Sequence, residues 1–196
     1  KQLTDHIQAS ALLNACKSAE FKIGDVQQKP ATKSPAAPFT TSTLQQEASL
    51  KLGFSVSRTM SVAQRLYEAG KITYMRTDSV NLSETAINGA KAEIESAYGA
   101  NYSKPTKYAN KNSNAQEAHE AIRPAGDVFK TPGELAPELS RDEFALYDLI
   151  WKRTVASQMA DAKKMQMRVD FDATTNDGKA TIFRANGSVI TFPGFL

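Results

Sequence analysis

Apolar positions recur at helical spacing through the middle of the chain and alternate with polar ones near its end, and that contrast sets the expected fold. Leu44, Ala48 and Leu52 line one face of a helix that Thr43 with Gln46 would open as a capping box and Gly53 would close. A second helix is expected at once, with Ser57 as its cap, Val56, Met60, Ala63, Leu66 and Tyr67 at helical spacing, and Gly70 as its stop. Two helices joined by a short glycine turn have the outline of a helix-turn-helix. A third helix is predicted over residues 83–98, with Ile87, Ala90, Ile94 and Ala97 on one face and Gly99 after it. Ser140 and Glu143 form another capping box, ahead of Phe144, Tyr147, Ile150, Trp151 and Val155, so this helix should bury its aromatics.

The two ends read differently. Residues 3–15 suit a helix without a clean apolar stripe, and residues 20–28 alternate Phe21, Ile23 and Val26 as an irregular strand would. Three prolines within residues 29–38 predict an extended connector, and residues 101–114 are polar and loop-like. Met165, Met167, Val169, Phe171 and Ala173 alternate with Gln166, Arg168, Asp170 and Asp172, a strand pattern, and Asp177-Gly178 and Asn186-Gly187 then predict two hairpin turns. The expected class is α+β. A small antiparallel β domain would form from both chain ends, residues 1–40 and 157–196, with a helical domain inserted over residues 41–156.

Composition narrows this little. With 196 residues and 41% hydrophobic content the chain can bury a core, and its net charge of +3 is too mild to identify a polyanionic partner. A single cysteine, Cys16, excludes an internal disulfide and suits a reducing, cytoplasmic compartment. No apolar run reaches membrane-spanning length, and an opening at Lys1 without a methionine or a signal pattern suggests a piece of a larger protein.

The chemistry concentrates after Gly70. Ile72-Thr73-Tyr74-Met75-Arg76-Thr77-Asp78-Ser79 places a phenol, a guanidinium and a carboxylate within five positions. A short strand through Ile72 would point Tyr74 and Arg76 to the same side, as an attacking group and a phosphate clamp. A tyrosine titrates near 10, about three units above neutral, so such an attack needs cationic help. Gln64 and Glu68, four apart on the preceding helix, share a face that the turn at Gly70 could bring over Tyr74. His119-Glu120-Ala121-Ile122-Arg123 begins like a zinc-peptidase motif, but Arg123 stands where the second histidine would be, and His6 is the only other histidine. Asp170 and Asp172 look like a magnesium pair, yet their place on the polar face of an alternating strand beside Arg168 makes them structural. Tyr102, Lys104, Lys107, Tyr108 and Lys111 interleave aromatics with cations, as a single-strand binder would, although a solvated loop explains them as well.

The run around Tyr74 resembles the I-T-Y-x-R-T-D-S signature of type IA DNA topoisomerases. Two further stretches match in order: Pro38-Phe39-Thr40-Thr41-Ser42-Thr43-Leu44-Gln45-Gln46-Glu47-Ala48 and Gln116-Glu117-Ala118-His119-Glu120-Ala121-Ile122-Arg123-Pro124. Met75 is similar to the form in the bacterial topoisomerase I branch, where the topoisomerase III branch more often has proline. The resemblance implies that Tyr74 joins covalently to DNA with Arg76 beside it. It further implies that Gln64, Glu68, Thr73, Thr77 and Asp78 belong to the site, that His119 holds a DNA phosphate, and that Arg123 is a weaker phosphate contact. It implies a strand-rich arch domain carrying the tyrosine domain, and ATP-independent relaxation of negatively supercoiled DNA through single-strand cleavage. The Mg2+ of the intact enzyme would be bound by an absent Toprim domain, so no metal and no activity are expected of this piece alone. Its expected partners are a single-stranded DNA segment and the remaining domains of the same polypeptide. The rival reading is a non-enzymatic helix-turn-helix DNA-binding module, although the two helices lack the Arg and Asn cluster that base readout needs.

Overall fold

The structure is a computed structural model and describes residues 5–108, 119–175 and 177–196. Among these it has six α-helices and one three-stranded antiparallel sheet, the α+β class that the patterning predicts. No described helix is long and apolar enough to cross a membrane. The chain divides into two compact units, one from the residues up to Lys33 with Ala162–Pro193, the other from Ser34–Asp161 with Gly194–Leu196.

In the first unit α1 (His6–Cys16) is capped by Asp5, whose carboxylate accepts the Ile7 amide at 2.9 Å. The sheet has the order β1 (Phe21–Lys33), β2 (Ala162–Thr174), β3 (Ala180–Phe192). Two sequence expectations fail here. The connector predicted over residues 29–38 begins only after Lys33, because β1 runs on through Pro30, which pairs with Met165. As an edge strand, β1 is of the kind that tolerates a proline. Asn186-Gly187 makes no turn: the two residues lie opposite Arg168 and Met167, and β3 passes straight through them. A continuous partner strand outweighs the local turn preference, so the described residues of the unit form one hairpin, closed at Gly178 with φ 82°. The irregularity expected in the first strand is a register shift between Ile23 and Asp25, where a side chain on Gly24 would collide with the Asp172 carboxylate.

Asp170 of β2 is structural, as predicted, though it is not on an exposed face, whereas Asp172 is exposed. Asp170 is 7% exposed and held by Arg184 at 2.7 and 2.9 Å and by Arg168 at 3.0 Å. Those hydrogen bonds, Arg184 first, hold its carboxyl well below the usual carboxylate range.

The second unit is helical: α2 (Thr41–Leu52), α3 (Val56–Glu68), α4 (Glu84–Ala97), the single turn α5 (Pro132–Leu135) and α6 (Arg141–Ser157). Several caps fall beside their expected positions. Thr40, not Thr43, caps α2 and forms its box with Thr43, and Ser55, not Ser57, caps α3 by accepting the Arg58 amide. The buried face of α3 is made of Thr59, Val62, Ala63 and Leu66, and Val56 and Tyr67 are exposed. Ser140 with Glu143 caps α6 as predicted and Ser83 caps α4, but Ala97 is exposed. On α6, Tyr147 is buried and donates its hydroxyl to the Lys130 carbonyl at 2.6 Å, whereas Phe144 and Trp151 are only partly buried.

The main core of this unit gathers Leu44, Leu66, Ile72, Met75, Ile122, Leu146 and Ile150 from four separate stretches of chain. Two smaller clusters lie around Ala90 with Phe129 and around Ile94 with Val155. Trp151 packs against all three. Burying side chains of this size stabilises by about 1.5–3 kcal/mol each before entropy is counted, so these contacts dominate the unit.

Candidate active site

Gly70, with φ 66°, ends α3 and turns the chain into residues 71–80, which form no regular strand. The expected strand through Ile72 is reduced to one bridge to Pro124. Its two-faced character is present all the same, since Met75, Thr77 and Ser79 are buried while Tyr74, Arg76 and Asp78 are exposed. The alternation comes from rooting every second residue in the helical core, not from a sheet.

Two straps hold this segment. The Thr73 amide donates to the Arg123 carbonyl at 2.9 Å, the Thr73 hydroxyl donates to Ala121 O at 2.8 Å, and the Arg123 amide donates to the Thr73 hydroxyl at 3.0 Å. On the other side the Thr41 amide donates to Thr77 O at 2.9 Å and the Thr77 amide donates to the Thr41 hydroxyl at 2.9 Å. Phe39 joins the arrangement by accepting the Ile122 amide at 2.8 Å. The three stretches singled out by sequence, far apart in the chain, therefore meet around Tyr74. Gln116, Glu117 and Ala118 of the third lie outside the described residues, as does Lys111.

A cleft of about 670 Å³ opens beside the segment, lined by Thr40, Thr41, Ser42, Arg76, Thr77, Asp78 and His119. Arg76 and Asp78 make no hydrogen bond or ion pair with any described residue. The cleft thus presents an uncommitted guanidinium, an imidazole and the first turn of α2, where the Thr41 and Thr43 amides are already bonded to Thr77 O and the Thr40 hydroxyl, respectively, and the helix dipole favours anions. The Thr77 hydroxyl accepts the Ser79 amide at 3.0 Å, which leaves its own proton to donate. Tyr74 is not on the cleft wall. It is 44% exposed, two residues before Arg76 on the same side, with its ring edge-on to Tyr67 at 5.3 Å. That contact brings the end of α3 to the tyrosine. On the same helix Gln64 donates to Glu68 at 2.6 Å.

Arg123 lies elsewhere. It is 7% exposed, and its guanidinium donates to Glu120 at 2.8 and 3.2 Å, to Pro124 O at 2.8 Å and to Gly126 O at 2.9 Å. Those bonds occupy four of the five guanidinium N–H donors at a buried position, so this arginine supports the strap. Glu120 also accepts the Ser83 amide at 2.7 Å. Burial pushes its carboxyl up, but the hydrogen bonds from Ser83 and Arg123 outweigh it and hold the carboxyl below its ordinary value. Sequence reasoning missed Thr40, Thr41 and Ser42 as cleft residues, although they sit inside a stretch it matched.

The interleaved cations and aromatics after residue 101 are tied to protein neighbours: Lys104 to Asp161, Lys107 to Glu84, and the Tyr108 hydroxyl to Ser157 O. The helix-turn-helix cations are tied too, since Arg58 pairs with Asp142 at 2.8 Å and Arg65 with Glu143 at 2.8 Å. Neither set is presented as a groove reader would need.

Comparison with known proteins agrees with the geometry. A family model described as DNA topoisomerase matches residues 1–196. DNA topoisomerase 1 of Mycolicibacterium smegmatis is 56% identical over 194 residues, covering 98% of this chain and 21% of that protein. DNA topoisomerase 1 of Streptomyces coelicolor is 54% identical over 194 residues, covering 98% of this chain and 20% of that protein. The solved structure of full-length topoisomerase I from Thermotoga maritima superposes with a TM-score of 0.78 at 39% identity, covering 100% of this chain and 32% of that one. The chain spans about a fifth of the length of the curated relatives it matches. With its whole length matched and its signature stretches folded into one site, the chain belongs to the DNA topoisomerase family, in the type IA group.

Proposed function

We propose that this chain is the part of a type IA topoisomerase that carries the nucleophile. The Tyr74 oxygen attacks a phosphorus of single-stranded DNA, its P–O bond forms, and the bond to the 3′ oxygen breaks. The phenol proton leaves, the 3′ oxygen takes up a proton, and the 5′ phosphate stays on Tyr74. The linkage conserves the bond energy, so the other strand can pass and the break reseal without ATP, relaxing negative supercoils. Arg76, His119 and the Thr77 hydroxyl hold the phosphate, while Asp78 with Gln64 and Glu68 orders water and charge around it. Thr73 and Arg123 serve the strap. The observation that carries the reading is the exposed Tyr74 on a core-rooted segment, beside a cleft with an uncommitted arginine.

The Mg2+ that the family implies has no fitting site among the described residues, which contain no cluster of three or more His, Cys, Asp or Glu able to hold a metal. In this reading a Toprim domain elsewhere in the polypeptide binds it. The unit of the residues up to Lys33 with Ala162–Pro193 belongs to the arch, and the unit of Ser34–Asp161 is the tyrosine domain, so the change-over falls at Lys33/Ser34 and Asp161/Ala162 instead of at residues 40 and 157. The test is Tyr74→Phe in the full-length protein. Covalent adducts with labelled oligonucleotide on denaturing gels should vanish while single-strand binding persists, and adducts in the variant would remove Tyr74 from the role.

A further inference from the structure

The cleft contains one arrangement to which the reaction assigns nothing. Thr41, the first residue of α2, brackets Arg76 by hydrogen bonds to the backbone on both of its sides. Its hydroxyl donates to Met75 O at 2.8 Å, with Thr77 O next nearest at 3.1 Å. The same hydroxyl accepts the Thr77 amide at 2.9 Å, and the Thr41 amide donates to Thr77 O at 2.9 Å. Arg76 itself makes no bond to a described residue, so its side chain is aimed by its backbone and by the packing of Met75 and Thr77, which are 1% and 9% exposed. A serine or threonine hydroxyl is the group for this place, since it must donate to one carbonyl and accept from one amide at once.

We propose that Thr41 is a positioning residue for Arg76: it locks the backbone at residues 75–77 to the N-terminus of α2, so that the guanidinium and the first helical turn face one phosphate at a fixed spacing. The inference rests on the reading of Tyr74 as nucleophile and Arg76 as its phosphate clamp. A misplacement of about 1 Å in such a clamp costs on the order of a hundredfold in rate. Thr41→Val keeps the shape and removes both side-chain bonds.

The experiment uses the full-length protein with Thr41→Val, Thr41→Ser, Arg76→Ala, the Thr41→Val/Arg76→Ala pair, and Tyr74→Phe as control. Single-turnover cleavage of a labelled single-stranded oligonucleotide is measured beside its binding affinity. Thr41→Val should slow cleavage by about tenfold or more while affinity changes less than about twofold, because the bonds it removes serve orientation. Thr41→Ser should restore the rate to within about threefold, since it restores the donor and acceptor. In the Arg76→Ala background Thr41→Val should cost almost nothing more, the non-additivity expected when one residue acts through the other. Additive losses, no rescue by serine, or wild-type cleavage in Thr41→Val would each overturn the proposal. If Thr41→Val melts at assay temperature, Thr41→Ala carries the same cycle, since it too retains the amide bond to Thr77 O. Adducts in Tyr74→Phe would instead sink the parent reading. A dead Tyr74→Phe beside an unslowed Thr41→Val would sink the role of Thr41 alone.

Discussion

Glu120→Gln tests whether Arg123 is a structural post. The substitution keeps the shape and one acceptor oxygen but removes the charge facing a guanidinium whose side chain is 9% exposed. Stripping the partner from a fully buried ion pair costs about 3–5 kcal/mol. Glu120 is itself 30% exposed, and two backbone carbonyls still hold Arg123, so water and those bonds reduce the cost to about 2 kcal/mol. For a chain of this size that is a fall in Tm of about 4–8 °C. The single tryptophan, Trp151, lies in the helical unit, so its fluorescence reports the melting of that unit. The pH dependence follows from the depressed carboxyl of Glu120. A carboxyl lowered in the folded state contributes its stability fully above its unfolded value, about 4.5, and loses it as pH falls through the folded one. The gap between wild type and Glu120→Gln should be full at pH 7 and narrow below about pH 4.5. A Tm change under about 2 °C at pH 7, or a gap that does not shrink in acid, would refute the account.

Arg76→Lys in the full-length protein should slow DNA cleavage by about one order of magnitude or more, because an ammonium cannot copy a planar fork, and His119→Ala should slow it less; oligonucleotide cleavage rates check both. Gly89→Ala should destabilise the helical unit although alanine normally favours helix, because the new methyl would meet the Asp127 carbonyl at 2.3 Å; a thermal melt with an unchanged or higher midpoint would contradict it. The isolated chain should neither relax supercoiled plasmid nor form adducts with Mg2+ present, since the residues that would hold the metal are not among those described; relaxation by it would mean that a complete site lies within these residues.

Features that depend on a few adjacent residues were legible in the sequence. The Ser140 and Glu143 box, the helix after residue 83 and the strand through Met165 and Ala173 follow from local sterics and hydrogen bonding, and the structure has them in place. What escaped depends on partners far along the chain. Pro30 and Asn186-Gly187 carry strong local signals, yet each is overruled by a residue of β2 lying opposite. Arg123 passes for a weaker phosphate contact until Glu120, Pro124 and Gly126 are seen folded around it. Thr41 carries no chemical signal of its own, because its significance comes from facing residue 76 across 35 positions of sequence.

The rooting of Met75, Thr77 and Ser79 in the core fixes how Tyr74 can travel. Local fluctuations that expose backbone amides occur cheaply only where a segment has little buried surface to lose. This segment holds Ile72 and Met75 in the largest apolar cluster, and the Thr77 amide is bonded to Thr41. The bonded amides of Thr73 and Thr77 should therefore exchange hydrogen only through opening of the whole helical unit, not through flapping of a loop. Any excursion of the tyrosine longer than a rotamer change then carries the entire unit with it as a rigid body, as a lever carries its tip.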